Sequence, residues 1–67
     1  MVEKRLFLES YVGDVAIVTA RYANHYETEI HGGELDGWLV IAKTESESRY
    51  NQRWAKRLVE QSSTVLA

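Results

Sequence analysis

The sequence predicts an α+β fold in which three or four antiparallel strands form a meander and one amphipathic helix follows. Two segments rich in β-branched and aromatic residues flank Gly13-Asp14, which is typical of a tight hairpin. A helix-capping sequence at Thr44 precedes a segment with helical periodicity. We expect one small domain over residues 1–67, with strands at about 5–12, 15–22, 26–31 and 38–43 and a helix at about 45–62.

The first two strands are predicted from RLFLESYV and VAIVTARY. β-Branched residues are stiff at χ1 in a helix, and Gly13 would interrupt one. If Val12 pairs with Val15, side-chain alternation gives two apolar faces. One face holds Leu6, Leu8, Val12, Val15 and Ile17, and the other holds Phe7, Tyr11, Ala16, Val18, Ala20 and Tyr22. Apolar residues at 11, 15, 18, 22 and 26 also fit a helical period, so a helix within 14–30 stays the alternative.

The next two strands flank HGGELDG, residues 31–37. In YETEIH, Tyr26, Thr28 and Ile30 alternate with charged residues, which predicts a half-exposed strand. Gly32-Gly33 and Asp36-Gly37 are turn dipeptides, and the apolar run WLVIAK follows them. We therefore expect a hairpin loop here, with a helix C-cap as the alternative.

The C-terminal helix begins with the capping box Thr44-x-x-Glu47. At 100° per residue, one stripe contains Tyr50, Trp54, Leu58 and Val65, with Ala55 at its edge. Arg49, Arg53, Lys56 and Glu60 lie opposite. We expect the helix to pack on the sheet through Trp54 and Leu58.

The composition is that of a globular chain, with 45% apolar and 27% charged residues in 67. The absence of cysteine excludes disulfides and thiolate metal sites. No apolar run approaches the length of a membrane span or a signal peptide. We expect no membrane association and a cytoplasmic location, in a bacterium or a phage-infected cell.

The net charge of −2 conceals an uneven distribution. Residues 22–42 carry four acidic and no basic residues, whereas residues 43–67 carry five basic and three acidic ones. An acidic middle and a basic end can attract each other within or between molecules.

No motif predicts catalysis, a cofactor or a metal. His25, Glu27, Glu29 and His31 could share a strand face, but they match no metal-ligand spacing, so we interpret them as a solvated edge. HGGELDG lacks the order of a phosphate loop and of a calcium loop. Nothing places a nucleophile beside a base. We expect a protein that is not an enzyme and has no cofactor.

Two apolar sheet faces and one helix leave a face uncovered, which is typical of an interface. The leading hypothesis is a small non-enzymatic protein-interaction module, a homodimer that regulates or inhibits a protein partner. Its candidate interaction residues are Phe7, Leu8, Tyr11, Val18, Tyr22, Glu34 and Asp36. The alternative is a nucleic-acid-binding regulator that uses the basic helix face, Arg49, Arg53, Lys56 and Arg57.

Overall fold

A computed structural model describes residues 4–65 of the chain, with side chains for residues 4–62. Four strands form one sheet in the order β1-β2-β3-β4, and every neighbouring pair is antiparallel. The elements are β1 (Arg5–Val12), β2 (Val15–Arg21), β3 (Tyr26–His31), β4 (Leu39–Ala42) and α1 (Glu45–Val65). The predicted α+β meander with a C-terminal helix is confirmed, in its four-stranded form.

The β1–β2 connection is the predicted two-residue hairpin. Val12 pairs with Val15, and Gly13 between them has a φ of +58°. No described non-glycine residue has a positive φ, so the second central residue of the turn does not have one. A positive φ at the first central position alone is the pattern of a type II′ turn. The helical alternative for residues 14–30 is wrong, since both β2 and β3 are strands.

A β-bulge at Phe7 overturns part of the predicted face assignment. Leu6 pairs with Ala20 but Leu8 pairs with Thr19, so Phe7 is the extra residue on β1. The bulge exchanges the faces of the two residues before Leu8. Leu6 points away from α1, whereas Phe7 lies on the helix side, with its ring centroid 5.0 Å from that of Tyr26.

The β3–β4 connection is a hairpin loop, as predicted, and the C-cap alternative is wrong. The Gly37 N–H donates to the Ile30 carbonyl at 2.9 Å, and the Gly32 N–H donates to Asp36 Oδ1 at 2.7 Å. Gly33 has a φ of +70°, and a Cβ there would lie 3.0 Å from Val15. The glycines therefore satisfy the turn geometry and the close approach to β2.

The predicted capping box starts α1. Thr44 Oγ1 accepts the Glu47 N–H at 3.2 Å. Glu47 Oε1 accepts the N–H of Lys43 at 3.1 Å, one residue before the position usual in this motif. Among the described residues, no helix combines the length and the apolar character needed to cross a bilayer.

The predicted contact face of α1 is wrong. The buried residues of the helix are Ser48, Gln52, Ala55 and Val59, whereas Trp54 is 41% exposed. Small and polar side chains therefore make most of the helix contact, and the larger aromatic rings lie outside it. Leu58 lies half-buried at the border. The side chain of Val65, the last member of the predicted stripe, lies outside the described residues.

The core between α1 and the sheet combines a small apolar cluster with a polar network. The apolar cluster consists of Ile17, Ile30, Ala55 and Val59. In the network, Gln52 Nε2 donates to Ser10 Oγ and to the Ile17 carbonyl, each at 2.9 Å. Gln52 Oε1 accepts from Thr19, whose hydroxyl also lies 2.7 Å from that of Thr28. Gln52 therefore fixes how α1 is docked on the sheet.

Candidate interaction surfaces

The sheet surface opposite α1, which we term the open face, is defined by the strand register. Residues paired directly across antiparallel strands share a face, and Ile17, Thr19 and Thr28 belong to the covered side. The open face therefore holds Leu6, Glu9, Tyr11, Ala16, Val18, Ala20, Glu27, Glu29, His31, Leu39 and Ile41.

The two edge strands give the open face its apolar character. The exposed fractions are 62% for Leu6, 60% for Tyr11, 48% for Leu39 and 55% for Ile41. Val18 lies half-buried between them on β2. Large apolar side chains that share one exposed face are typical of a surface that binds a partner.

Carboxylates give the same face a negative charge. Glu9, Glu27 and Glu29 lie on it, and no Lys or Arg does so among the described strand residues. Tyr11 Oη donates to Glu9 Oε2 at 2.6 Å. This hydrogen bond, together with the negative charge of the carboxylate, raises the pKa of Tyr11 above its ordinary value. The open face therefore combines apolar contact area with an attraction for cations.

A second surface lies on α1, facing away from the sheet. Tyr50, Arg53, Trp54 and Arg57 form this outer stripe, and they border a shallow groove of about 210 Å³. The rings of Tyr50 and Trp54 meet nearly edge to face, with centroids 6.1 Å apart. The outer stripe therefore presents both aromatic rings and guanidinium groups to solvent.

The structure brings together only part of the predicted protein-interaction set. Tyr11 and Val18 share the open face. Phe7 and Leu8 lie on the helix side of β1, where the guanidinium of Arg49 is 5.1 Å from the Phe7 ring centroid. The bulge moves Phe7 off the face that it was predicted to share with Tyr11, whereas Leu8 lies opposite Tyr11 by ordinary strand alternation.

The other three predicted residues lie in or next to turns. Tyr22 precedes the β2–β3 turn and stacks on His25, with ring centroids 4.6 Å apart. Glu34 and Asp36 lie in the β3–β4 loop, where Glu34 accepts a hydrogen bond from Ser62 at 3.3 Å. The acidic loop therefore contacts the end of α1 and is separate from the open face.

The predicted basic residues are all exposed on α1, but they differ in their contacts. Arg49 forms an ion pair with Glu45 at 3.2 Å. Arg53 and Arg57 belong to the outer stripe, and Lys56 lies on its flank. Tyr50 and Trp54, which lie beside these arginines, were predicted to be core residues. They are on the surface because a different stripe of α1 is buried against the sheet.

Sequence reasoning missed the strongest apolar residues of the open face, Leu6, Leu39 and Ile41. The bulge hid Leu6. In β4, the consecutive apolar run indicated burial on both sides, although alternate residues Val40 and Ala42 alone face the helix. Alternation on β3 could have identified the two β4 residues. It predicts that Glu27 and Glu29 face solvent, and Ile41 and Leu39 pair with them and so share that face.

A further cleft lies between the β3–β4 loop and the end of α1. It has a volume of about 260 Å³ and is lined by Val15, Gly32, Gly33, Glu34, Leu35, Val59 and Ser62. This lining offers apolar contact and one carboxylate. Within the described part of the chain, no group of three or more His, Cys, Asp or Glu side chains is arranged to hold a metal ion.

Comparison with known proteins adds no assignment to this geometry. No protein-family model, curated protein or solved structure matches the chain. The open face and the outer stripe are therefore the features of this chain that indicate a function.

Proposed function

We propose that this chain is a small non-enzymatic interaction module that regulates or inhibits a protein partner by docking it on the open face. One observation carries the proposal. Four large exposed apolar side chains and three carboxylates share a sheet surface that α1 does not cover. The partner surface that fits is apolar and basic, and inhibition follows when docking covers a site on that partner.

The apolar side chains supply part of the affinity. Complete burial of one Leu or Ile side chain contributes about 1.5–3 kcal/mol. Leu6, Leu39 and Ile41 already have roughly half of their surface covered, so each can contribute about half of that value on docking. This gain must offset the cost of association, so further complementarity is required.

The carboxylates supply that complementarity. Glu27 and Glu29 lie side by side with the exposed residues of β4, so a partner Lys or Arg can pair with them while its apolar neighbours contact Ile41. Binding should therefore weaken as salt increases, because part of the attraction is between exposed charges.

A homodimer through the same face is the second candidate. The exposed apolar residues on both edge strands favour it, and a standard interface would cover about 800 Å² per protomer. Two open faces in contact would also bring Glu9, Glu27 and Glu29 of both copies close together. Self-association should therefore tighten as salt increases, which is opposite to the salt dependence expected for a basic partner.

The test is capture from a bacterial lysate followed by measurement with the purified partner. We expect Ile41→Asp to weaken binding at least about tenfold, since it places a charge in an apolar contact. Glu29→Lys should weaken it and reduce its salt dependence. Arg53→Gln, on the opposite side of the molecule, is the control and should bind as the unmodified chain does. Equal binding by Ile41→Asp and the unmodified chain would refute the proposal.

Sedimentation equilibrium separates the second candidate from the first. A homodimer should show a melting temperature that rises with protein concentration. A monomer at high micromolar concentration with a constant melting temperature would exclude it. The proposal also keeps the cytoplasmic setting expected from the sequence, and fractionation of host cells tests that part.

A further inference from the structure

The outer stripe of α1 exposes aromatic side chains whose burial would stabilise a small domain. Trp54 and Tyr50 are 41% and 51% exposed, and Arg53 and Arg57 border the groove beside them. We propose that the outer stripe binds single-stranded nucleic acid, with a base stacked on Trp54 and phosphates held by the two arginines. This site is separate from the open face.

The charge of the stripe selects an anionic ligand. Arg49 is paired with Glu45, but the ion pairs among the described residues include neither Arg53 nor Arg57. These two arginines are one helical turn apart, so they present two guanidinium groups along one line. Guanidinium groups bind phosphate through paired hydrogen bonds, and Lys56 adds a third positive charge on the flank.

The aromatic rings select a single strand over other polyanions. A base in a single strand offers its flat surface to an exposed indole, and such stacking tolerates any base. In a duplex the same surfaces are hidden within the base stack. An acidic peptide would supply negative charges, but a flat ring would not accompany each charge as a base accompanies each phosphate. The combination of Trp54 with Arg53 and Arg57 therefore fits a phosphate chain that carries unstacked bases.

The experiment measures fluorescence anisotropy of a labelled oligothymidylate of roughly 15 nucleotides, between roughly 50 and 200 mM salt. If Arg53, Lys56 and Arg57 each neutralise one phosphate, the logarithm of affinity should fall with the logarithm of salt with a slope of about −2. Arg57→Gln should reduce that slope by about 0.7. Lys43→Gln is the control, because it removes one exposed charge outside the stripe and should leave the slope unchanged.

Trp54→Ala separates stacking from charge. We expect it to weaken binding about tenfold without changing the slope. Tyr11→Ala removes an exposed aromatic from the open face and should have no effect. Circular dichroism should show that both variants are folded, since neither side chain is among the buried residues of the core.

Three results would overturn the proposal. One is the absence of binding at the lowest salt concentration, and another is unchanged affinity in Trp54→Ala. The third is tighter binding of a duplex of the same length. Salt-sensitive self-association that is lost in Trp54→Ala, without binding of the oligonucleotide, would assign the stripe to a second copy of the chain and would also reject nucleic acid.

Discussion

Replacing Gln52 by alanine tests whether the polar network stabilises the contact between α1 and the sheet. The Gln52 amide donates to Ser10 and to the Ile17 carbonyl and accepts from Thr19. The residue is only 8% exposed, so water cannot readily replace these three bonds. The substitution also leaves the hydroxyls of Thr19 and Thr28 with one partner fewer between them.

The expected cost follows from the count of bonds. Each intramolecular hydrogen bond contributes about 0.5–1.5 kcal/mol net, and a buried group left without a partner costs about 1–3 kcal/mol. We therefore expect Gln52→Ala to lower the free energy of unfolding by about 2–4 kcal/mol. A chain of this length has a total stability of about 3–10 kcal/mol, so the loss is a large share of it.

Urea denaturation measures this loss. With a denaturant dependence near 1 kcal/mol per molar, roughly that of a small chain, the midpoint should fall by about 2–4 M. Gln61→Ala is the matched control, because it makes the same change on the same helix at an exposed position. It should cost under about 0.5 kcal/mol. Equal midpoints for the two variants would refute a stabilising role for the network.

A double substitution tests whether the network acts as a unit. Thr19→Val and Gln52→Leu each leave a polar partner exposed to apolar surroundings. Together they remove one bonded pair, so the double variant should lose less stability than the two single variants added together. Strict additivity would show that the bond between Thr19 and Gln52 contributes nothing.

Three further predictions concern the core, the helix cap and the open face. Ile30→Ala should cost about 2–5 kcal/mol in urea denaturation, whereas Ile41→Ala, at a 55% exposed residue, should cost under about 1 kcal/mol; similar costs would contradict the face assignment. Thr44→Ala should cost about 1 kcal/mol and Thr44→Ser much less, because serine keeps the capping oxygen. Glu9→Gln should lower the pKa of Tyr11 toward the ordinary tyrosine value in an ultraviolet titration read against Tyr11→Phe. Since the folded state raises this pKa, the contribution to stability is present below the ordinary value and is lost as pH rises through the folded value.

The strand order could be predicted because turn chemistry and alternation act locally. Gly13 adopts positive φ and Val12 pairs with Val15, as the Gly-Asp dipeptide indicates. The bulge at Phe7 could not be predicted, since it depends on packing against Tyr26 and on the register of a distant part of β2. The extra residue exchanges Leu6 and Phe7 between the two faces of the sheet. Leu6 thereby becomes the most exposed large apolar residue of the open face.

The prediction of the contact face of α1 was wrong for a different physical reason. Helical periodicity identifies stripes but does not say which stripe meets the sheet, and Trp54 made its stripe the more apolar. The sheet instead offers the hydroxyls of Thr19 and Thr28 at the centre of the contact. A buried threonine hydroxyl requires a hydrogen-bond partner, so the helix turns Gln52 inward, and Trp54 follows to the outside.

This inversion separates stability from binding. The largest fully buried side chains are Ile17 and Ile30, and small or polar residues of α1 complete the contact. Trp54 and Ile41 lie on opposite sides of the molecule, and neither is among the buried residues of the core. We therefore expect one substitution on either surface to remove its contacts and leave the chain folded. If Trp54 anchored the helix, its loss would abolish binding and folding together, and the two causes could not be distinguished. Because Gln52 anchors the helix instead, a folded Trp54→Ala variant reports directly on what the outer stripe binds.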